Sequence, residues 1–338
     1  MVTALASADS PFLVALAGQP APYTPVWFMR QAGRYQPEYR KLRERYRLVE
    51  LVREPELGAQ VAALPVEKFG FDAAILFADI TTPLEAMGAD LELVEGKGPV
   101  FAAPLQPGQF TLHPLQPDEG VPFISLAIRI LKNRLSVPVI GFAGGPFTLA
   151  SYLIEGGPSR NFLKTKTWMY QNSESFTALL EFLAENMASY LNAQLSAGAA
   201  AVQIFDSWAG TLSQADFKRY LIPSLRTLIE NVSGPVIYFT AQNFHLLEQI
   251  ASLKPAAVGL GTTSPLAESR NQIDLPVQGN LDPALLFASE SVLSREIRNI
   301  LAENSGRPGH IFNLGHGILP GTPESSVARA VELVKEYS

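Results

Sequence analysis

Two arginines, Arg30 and Arg34, stand four residues apart directly after the apolar run Val26-Trp27-Phe28-Met29. Arg30 is also the first Lys or Arg of the chain. A guanidinium group is planar and permanently charged, and it binds a carboxylate or a phosphate through two parallel hydrogen bonds. The apolar run indicates a buried strand that ends at Arg30, so we interpret the pair as an anion-binding site. A pair of surface arginines is the alternative.

One carboxylate, Asp79, ends the apolar run Ala74-Ile75-Leu76-Phe77-Ala78. An ionised side chain at the end of a buried strand needs hydrogen-bond donors or a cation nearby, because burial of an unpaired charge is costly. Asp79 is therefore a candidate to act on a bound ligand. The alternative is a capping role for a helix that begins after Thr81, a position where aspartate is common.

A glycine-rich loop, Gly141-Phe142-Ala143-Gly144-Gly145, leads into a helical segment that carries Tyr152. The backbone N–H groups of such a loop can bind phosphate. The Lys-Ser/Thr pair of a nucleotide-binding P-loop is missing. The alternative is that the glycines only allow a tight turn and close packing.

Two further candidates, Ser207 and His316, also follow apolar runs. Neighbouring strand residues point to opposite faces, so Asp206 and Ser207 cannot form one catalytic dyad. The G-x-S-x-G motif of a hydrolase nucleophile is missing around Ser207, which leaves it a hydrogen-bonding role. His316 lies between two glycines, where an imidazole can approach a ligand closely. No third ligand at a recognisable metal-binding spacing accompanies the histidine pair, and we expect no metal. The remaining histidines are interpreted as structural or surface residues: His113, His245 and His310.

The composition argues against several classes of function. The 338 residues are 47% hydrophobic and 17% charged, which suits a large core and argues against disorder. A net charge of −6 argues against a general nucleic-acid or membrane-surface binder. The chain has no cysteine, which excludes disulfides, thiolate metal sites and cysteine nucleophiles. No apolar run is long enough to span a bilayer, and no basic residue precedes Arg30 as in a signal peptide, so we expect a cytoplasmic protein.

The candidate residues need a scaffold, and the apolar runs predict one. Continuous runs rich in Val, Ile and Phe are typical of strands buried on both faces. Eight such runs with helical segments between several of them predict a single (β/α)8 TIM barrel over residues 1–338. A doubly wound open sheet is the alternative, but no G-x-G-x-x-G follows the first strand. The predicted strands are Pro25–Met29, Ala73–Ala78, Pro138–Phe142, Ala201–Phe205, Pro235–Phe239, Ala257–Leu260, Pro276–Gly279 and His310–Leu314.

In such a barrel the chemistry lies at the C-terminal ends of the strands. The residues predicted at this rim are Arg30, Arg34, Asp79, Ser207, Thr240, Asn280 and His316. Together they would bring a cation pair, a carboxylate, hydroxyls, an amide and an imidazole to one cleft.

Three other segments are predicted from local patterns. Residues 1–20 are expected to form a helical lead. Leucine or methionine at every fourth position from Leu179 to Leu195 predicts a helix between Ser173 and Gly198. Alternating residues on either side of Glu95-Gly96-Lys97-Gly98 predict a β-hairpin, added to the barrel near residues 90–113.

Four of these segments also carry a family resemblance. The run from Pro25 to Tyr35 resembles the N-terminal signature of the uroporphyrinogen decarboxylase family, and Gly141 to Gly156 is similar to its second signature. The blocks Phe205-Asp206-Ser207-Trp208 and Asn313-Leu314-Gly315-His316-Gly317 follow in the family's order. The similarity extends from Thr24 to Pro320.

The resemblance implies the conversion of uroporphyrinogen III to coproporphyrinogen III in haem biosynthesis. In that reaction four acetate side chains lose CO₂ and become methyl groups. The resemblance implies neither a metal nor an organic cofactor, since a protonated pyrrole is itself the electron sink. It also implies a homodimer that binds uroporphyrinogen.

The family's motifs also imply roles for residues of this chain. Asp79, Arg30 and Tyr152 are expected to be catalytic, with Asp79 accepting hydrogen bonds from the pyrrole N–H groups. The proton donor stays open between Arg30, a substrate carboxyl group and a bound water, because a free arginine pKa above about 12 makes a poor acid. The expected substrate contacts are Arg30, Gln31, Ala32, Gly33, Arg34, Arg43, Asp79, Tyr152, Ser207 and His316.

Two other functions remain open. One is a corrinoid-dependent methyltransferase of the same superfamily, against which the lack of cysteine argues because such enzymes hold zinc with His and Cys. The other is a catalytically silent tetrapyrrole-binding protein. The presence of Asp79 favours an enzyme, but Gly261-Thr262 stands where the family commonly has Asp-Trp, which keeps the silent protein in consideration.

Overall fold

A parallel sheet lies at the centre of the molecule. In the computed structural model of the chain, which describes residues 10–94, 96–108 and 110–338, seven strands lie side by side in chain order. They are β1 (Ala74–Ile75), β4 (Val139–Gly144), β5 (Ala201–Phe205), β6 (Val236–Phe239), β7 (Ala257–Gly259), β8 (Val277–Gln278) and β9 (His310–Ile311). Two further strands, β2 (Leu91–Val94) and β3 (Gly98–Phe101), form a separate antiparallel pair.

The strands follow the apolar runs of the sequence. Every predicted run from Ala73–Ala78 to His310–Leu314 overlaps one strand of the parallel sheet, which confirms these seven strands, although β4 extends two residues beyond its predicted end at Phe142. All six residues of β4 are buried, as expected for a strand covered on both faces. The resulting fold is an α/β structure with a curled parallel sheet.

The first predicted strand, Pro25–Met29, forms one parallel bridge, between Val26 and Phe312, rather than a longer ladder. Two of its N–H groups bond to side chains: the Val26 N–H donates to Asp72 Oδ2 at 2.8 Å and the Met29 N–H to Asn313 Oδ1 at 3.0 Å. The Asp72 N–H donates to the Val26 carbonyl at 2.9 Å. The segment therefore contacts Asp72, which lies just before β1, and Phe312, which lies just after β9, the two edge strands of the sheet.

A chain of buried amides crosses the interior behind this segment. Trp27 Nε1 donates to Gln278 Oε1, and Gln278 Nε2 donates to Gln203 Oε1, each at 3.0 Å. Gln203 Nε2 lies 3.6 Å from the sulfur of Met29. These contacts join Pro25–Met29 to β8 and β5, and because each buried amide has a partner the arrangement avoids a large desolvation penalty.

Helices connect the strands. They are α1 (Pro11–Leu16), α2 (Pro37–Arg43), α3 (Leu48–Arg53), α4 (Pro55–Phe69), α5 (Thr82–Ala86), α6 (Pro117–Gly120), α7 (Pro122–Arg134), α8 (Pro146–Glu155), α9 (Leu163–Gln171), α10 (Ser173–Ala197), α11 (Gln214–Asp216), α12 (Ile222–Glu230), α13 (Leu247–Ala251), α14 (Leu266–Gln272), α15 (Glu290–Glu303) and α16 (Glu324–Tyr337). Shorter 3₁₀ turns lie at Ala209–Thr211, Phe244–Leu246 and Pro283–Phe287, and a π-helical turn at Phe217–Leu221. None of the helices within the described ranges is long and apolar enough to cross a membrane.

The predicted helix between Ser173 and Gly198 is confirmed as α10. Its four-residue row is buried from Leu179 to Leu191, and Gly198 ends the helix in the left-handed conformation with φ of 116°. In the predicted lead, Ser10 Oγ accepts the Leu13 N–H at the start of α1, while residues 1–9 lie outside the described chain.

The segment near residues 90–113 pairs over a shorter length than predicted. Leu91 lies opposite Phe101 and Val94 opposite Gly98, with Glu95 of the turn outside the described residues. From Ala102 to His113 the described residues form no strand. The Phe101 N–H donates to the Gly156 carbonyl at 3.0 Å, so the pair is attached to the end of α8.

Candidate active site

Arg30 is held in place by the loop that follows β9. Its φ of 59° is left-handed, which is unusual for a residue with a side chain. The flanking Met29 is fixed on both sides, because its N–H donates to Asn313 Oδ1 and its carbonyl accepts the Ile318 N–H at 2.9 Å. A Cβ built on Gly317 would lie 2.4 Å from Arg30 Cδ, so a larger residue there would displace the arginine stem from this position.

The residues after Arg30 form a tight loop. Gln31 is fully buried: its Oε1 accepts the Phe28 N–H at 3.2 Å and its Nε2 donates to the Ala73 carbonyl at 3.1 Å. The Gln31 side chain thus supports the loop from inside. Ala32 and Gly33 are half-buried, and Arg34 is exposed.

Asp79 divides its two oxygens between different surroundings. Oδ1 accepts the Thr81 N–H at 2.9 Å and the Thr81 hydroxyl at 2.6 Å, just before α5. Among the described residues, no hydrogen bond reaches Oδ2. The side chain is half-buried. These bonds form a local turn and not a helix cap, because Thr81 is the N-cap residue of α5 and no side-chain capping bond is present. Asp79 Oδ2 is left able to accept from a ligand.

Tyr152, on α8, lies within the electrostatic influence of both Asp79 and Arg30. Burial, and then the negative charge of Asp79, raise the pKa of Tyr152 to about 12, while the positive charge of Arg30 opposes them. The Tyr152 ring centroid lies 4.2 Å from that of Trp208. The phenol is therefore protonated at neutral pH and is a hydrogen-bond donor.

His316 lies beside Arg30. The protein atoms that shield its ring from water lower its pKa, and the positive charge of Arg30 adds to this effect. The imidazole is therefore neutral at pH 7. A Cβ on the neighbouring Gly315 would lie 2.4 Å from the backbone nitrogen of Thr262, so the unusual Gly261-Thr262 step packs directly against this loop.

Ser207 and Asp206 are separated as the alternation of a strand predicts. Asp206 is fully buried, whereas Ser207 is half-buried, and the Ser207 carbonyl accepts the Ala241 N–H at 3.2 Å. Ser207 precedes Trp208, whose ring packs against Tyr152 in a tilted arrangement.

Two residues predicted at the rim turn into the protein instead. Thr240 is fully buried and its Oγ1 accepts the Gly210 N–H at 2.8 Å. Asn280 donates from Nδ2 to the carbonyls of Gly261 and Ser264. Both side chains bond to loop backbone, because that backbone has no strand partner at these positions.

Arg43 lies at the end of α2. Its side chain is half-buried, and Nη1 donates to the Tyr46 carbonyl at 2.7 Å. Helix α2 packs near Asp79 through Tyr39, whose ring centroid is 5.7 Å from that of Phe77. Contact between Arg43 and a substrate stays a prediction.

The family model for uroporphyrinogen decarboxylase (URO-D) matches residues 7–337. This chain belongs to the uroporphyrinogen decarboxylase family. A uroporphyrinogen decarboxylase of Thermus thermophilus is 54% identical over 332 residues, which cover 96% of this chain and 97% of the relative. Another, of Geobacillus kaustophilus, is 46% identical over 334 residues, covering 97% of each chain. The protein is a carboxy-lyase of tetrapyrrole biosynthesis.

Solved structures show that the fold is shared more widely. A methyltransferase from Methanosarcina mazei has a TM-score of 0.81 at 22% identity, covering 97% of this chain and 98% of its own. A B12-independent methionine synthase from Shewanella has a TM-score of 0.59 at 12% identity, covering 95% and 96%. At these identities the likeness concerns the fold alone.

One histidine of this uroporphyrinogen decarboxylase, His310, is buried in the interior. Burial lowers the pKa of His310 to about 4, and one ring nitrogen lies 2.9 Å from the Gly279 carbonyl, as expected for a structural histidine. In the described part of the chain, no group of three His, Asp or Glu side chains is placed to hold a metal ion.

Sequence reasoning missed two features that position the decarboxylase site. Asn313 supports the backbone before Arg30, and Gly317 makes room for the Arg30 stem. Both lie in the block around His316, so the only available signal was their presence in that block. Nothing local indicates that their partner is an arginine loop more than 280 residues earlier.

Proposed function

We propose that this uroporphyrinogen decarboxylase converts uroporphyrinogen III to coproporphyrinogen III in four successive steps, without a metal or organic cofactor. The observation that carries the proposal is the grouping of Arg30, Asp79, Tyr152 and His316, each of which has an electrostatic influence on another. A cation, an anion, a donor and a neutral imidazole suit a polyanionic substrate that becomes a cation during reaction.

Each step balances without an external electron acceptor. A proton adds to the pyrrole carbon that bears the acetate arm, which gives a cationic ring. The bond between the arm's CH₂ and its carboxylate then breaks, and its electron pair moves into the ring as CO₂ leaves. A second proton adds to the exocyclic carbon and the first is lost, so the net change replaces CO₂ by H.

Asp79 stabilises the cationic ring in this proposal. Oδ1 is held by Thr81, which fixes the carboxylate, and Oδ2 accepts from the pyrrole N–H groups. A preorganised carboxylate facing developing positive charge in a desolvated cleft acts far more strongly than it would in water.

The other groups bind the carboxylates of the substrate. Arg30 and Arg34 pair with them as fixed cations. Tyr152 donates its phenolic proton, and His316 and Ser207 complete the set. Gln31 acts through its support of the loop, while Ala32 and Gly33 offer their backbone and Arg43 a more distant positive charge.

The wider architecture is also part of the proposal. We infer that Pro25–Met29 is the eighth strand of a closed (β/α)8 barrel, supported by its bonds to Asp72 and Phe312. One cluster of buried residues extends from Phe12 to Val334, which favours a single domain with β2 and β3 as an added hairpin. A cytoplasmic homodimer that binds no nucleic acid completes the expectation.

The direct test is anaerobic incubation of the chelator-treated protein with uroporphyrinogen III, followed by chromatography of the oxidised porphyrins. Stepwise appearance of products with seven to four carboxyl groups is expected. Binding without carboxyl loss would contradict the proposal and favour a silent binding protein, with Gly261-Thr262 as the first place to examine. Full conversion that requires added metal would contradict the cofactor-free reaction.

A further inference from the structure

Asp206 is a fully buried carboxylate that the reaction above does not use. Its Oδ1 accepts the Thr148 N–H at 2.7 Å, and its Oδ2 accepts the Tyr238 hydroxyl at 3.3 Å. Burial raises the pKa of this carboxyl group, while the Thr148 hydroxyl and the Phe147 N–H favour its charged form and oppose that larger effect. A buried carboxylate is costly without such partners. The bonds therefore hold this side chain in a fixed position at the start of α8.

The bonds tie together two elements that come from different parts of the chain. Thr148 Oγ1 accepts the Trp208 N–H at 3.1 Å, and the Gly145 N–H donates to the Phe205 carbonyl at 2.9 Å. A Cβ on Gly145 would lie 2.2 Å from the Asp206 Cβ, so the turn before α8 is packed against the end of β5.

Each of the joined elements carries a residue expected to contact substrate. Tyr152 follows Thr148 by one helical turn on α8, and Ser207 follows Asp206 directly. Their relative position is reported by the Tyr152 ring, whose centroid lies 4.2 Å from that of Trp208 with the two planes tilted by 35°. A shift of α8 against β5 would therefore separate the two contacts.

We propose that Asp206 is a positioning residue: by holding the first turn of α8 against the end of β5, it sets the distance between Tyr152 and Ser207. The inference rests on the proposed function in that both residues contact the same substrate. A misplacement of about 1 Å at a reacting centre can lower a rate by roughly a hundredfold, so loss of this link lowers kcat.

Asp206→Asn tests the link with little change in volume. Asparagine retains an acceptor for the Thr148 N–H but offers Tyr238 an N–H where an acceptor stood. Thr148→Val is the second variant, because it keeps the backbone N–H that donates to Asp206 and removes only the hydroxyl that accepts the Trp208 N–H. Thr177→Val is the matched control: its hydroxyl donates within α10, to the Ser173 carbonyl.

Three readouts separate positioning from a loss of stability. We expect kcat to fall about tenfold in Asp206→Asn and about threefold in Thr148→Val, with Thr177→Val unchanged. Trp208 fluorescence, taken as the difference from the Trp208→Phe version of each protein, is expected to change in the first two variants only. Adding Tyr152→Phe to Asp206→Asn is expected to cost less than Tyr152→Phe costs alone, because the contact is already displaced.

The outcomes distinguish the two proposals. A wild-type protein without decarboxylation refutes the proposed function, whereas the Trp208 signal still tests the link between α8 and β5. Normal kcat and unchanged Trp208 fluorescence in both Asp206→Asn and Thr148→Val overturn the inference. Fully additive losses in the Asp206→Asn and Tyr152→Phe double variant overturn it as well. If Asp206→Asn does not fold, Thr148→Val alone decides by the same criteria.

Discussion

Two aspartates, Asp79 and Asp206, follow buried strands of one sheet and have opposite surroundings. Asp79 is half-buried, and its Oδ1 is bonded to Thr81, two residues further along the chain. Asp206 is fully buried, and both of its oxygens bond to residues of other elements. An aspartate after an apolar run can therefore serve either a ligand or the fold.

The difference arises from what each carboxylate faces. After Asp79 the chain turns at once, and among the described residues the donors that reach its carboxylate are those of Thr81, which leaves Oδ2 for a substrate. Asp206 faces the first turn of α8, where unpaired N–H groups and the helix dipole favour an anion. The hydrogen-bond donors within reach of each carboxylate, rather than the residue type, distinguish the catalytic candidate Asp79 from the positioning residue Asp206.

The largest predicted effect is on turnover at Asp79. Asp79→Asn keeps an oxygen for the Thr81 N–H but removes the charge that stabilises the cationic ring. We expect kcat to fall by about a hundred- to a thousandfold, in the range found for loss of a single stabilising group in an active site. Decarboxylation rates and urea unfolding of the same preparation measure both properties.

The stability of Asp79→Asn is expected to change little, in contrast to its turnover. The free energy of unfolding is expected to stay within about 1 kcal/mol of wild type, because the bond from the Thr81 N–H survives. Near-normal turnover in Asp79→Asn would remove Asp79 from the reaction. A large loss of stability would show instead that Asp79 resembles Asp206 more than the structure indicates.

The opposite pattern is predicted for Gly145→Ala. The new Cβ would lie 2.2 Å from the Asp206 Cβ and 2.8 Å from its Cα, so the backbone itself must move. The φ of −78° at Gly145 suits alanine, and the cost is therefore steric. We expect a loss of about 2–4 kcal/mol in the free energy of unfolding. Unchanged stability would mean that the turn before α8 moves freely against β5.

A smaller effect is predicted in the pH dependence of stability. Burial raises the pKa of Asp206 to about 6 from its ordinary 3.8, so between these values the native state holds a proton that the unfolded chain has released. The bound proton stabilises the native state fully below pH 3.8, and this stabilisation is lost as the pH rises through about 6. Tyr238, the titratable group that contacts Asp206, has a pKa raised well above its usual value and stays protonated.

Urea unfolding between pH 4.5 and 7 checks this slope against Asp206→Asn, which cannot titrate. The stability of the variant relative to wild type is expected to rise by about 1–3 kcal/mol across the window. A constant difference would mean that Asp206 does not change its protonation on folding in this range.

The same contrast between near and distant partners explains what the sequence could predict. Helix α10 was predicted to its last residue because its signal is local: a four-residue apolar row and a glycine that ends it. At Pro25–Met29 the sequence predicted a strand, whereas the structure forms a single bridge there, because two of its N–H groups bond to the side chains of Asp72 and Asn313, which no local pattern reveals.

The site follows this rule as well. Motifs identified Arg30, Asp79, Tyr152 and His316, and the structure brings their charges within reach of one another. Thr240 and Asn280 were wrongly placed in the cleft, because the direction of a side chain after a strand depends on loops that the sequence does not fix. The role of Asp206 was missed because its partner Thr148 lies 58 residues away.

The smallest predicted effect is at His316. Its lowered pKa keeps the imidazole neutral above its ordinary value of about 6.5. His316→Gln replaces it with another neutral group that both donates and accepts, so kcat/KM is expected to fall by less than about tenfold. The ratio of wild type to variant should be the same at pH 7 and pH 8, because neither side chain titrates there. A ratio that changes over this interval would show that His316 gains or loses a proton near neutrality, and would make it, rather than a substrate carboxyl group or a water, the first candidate for the proton donor.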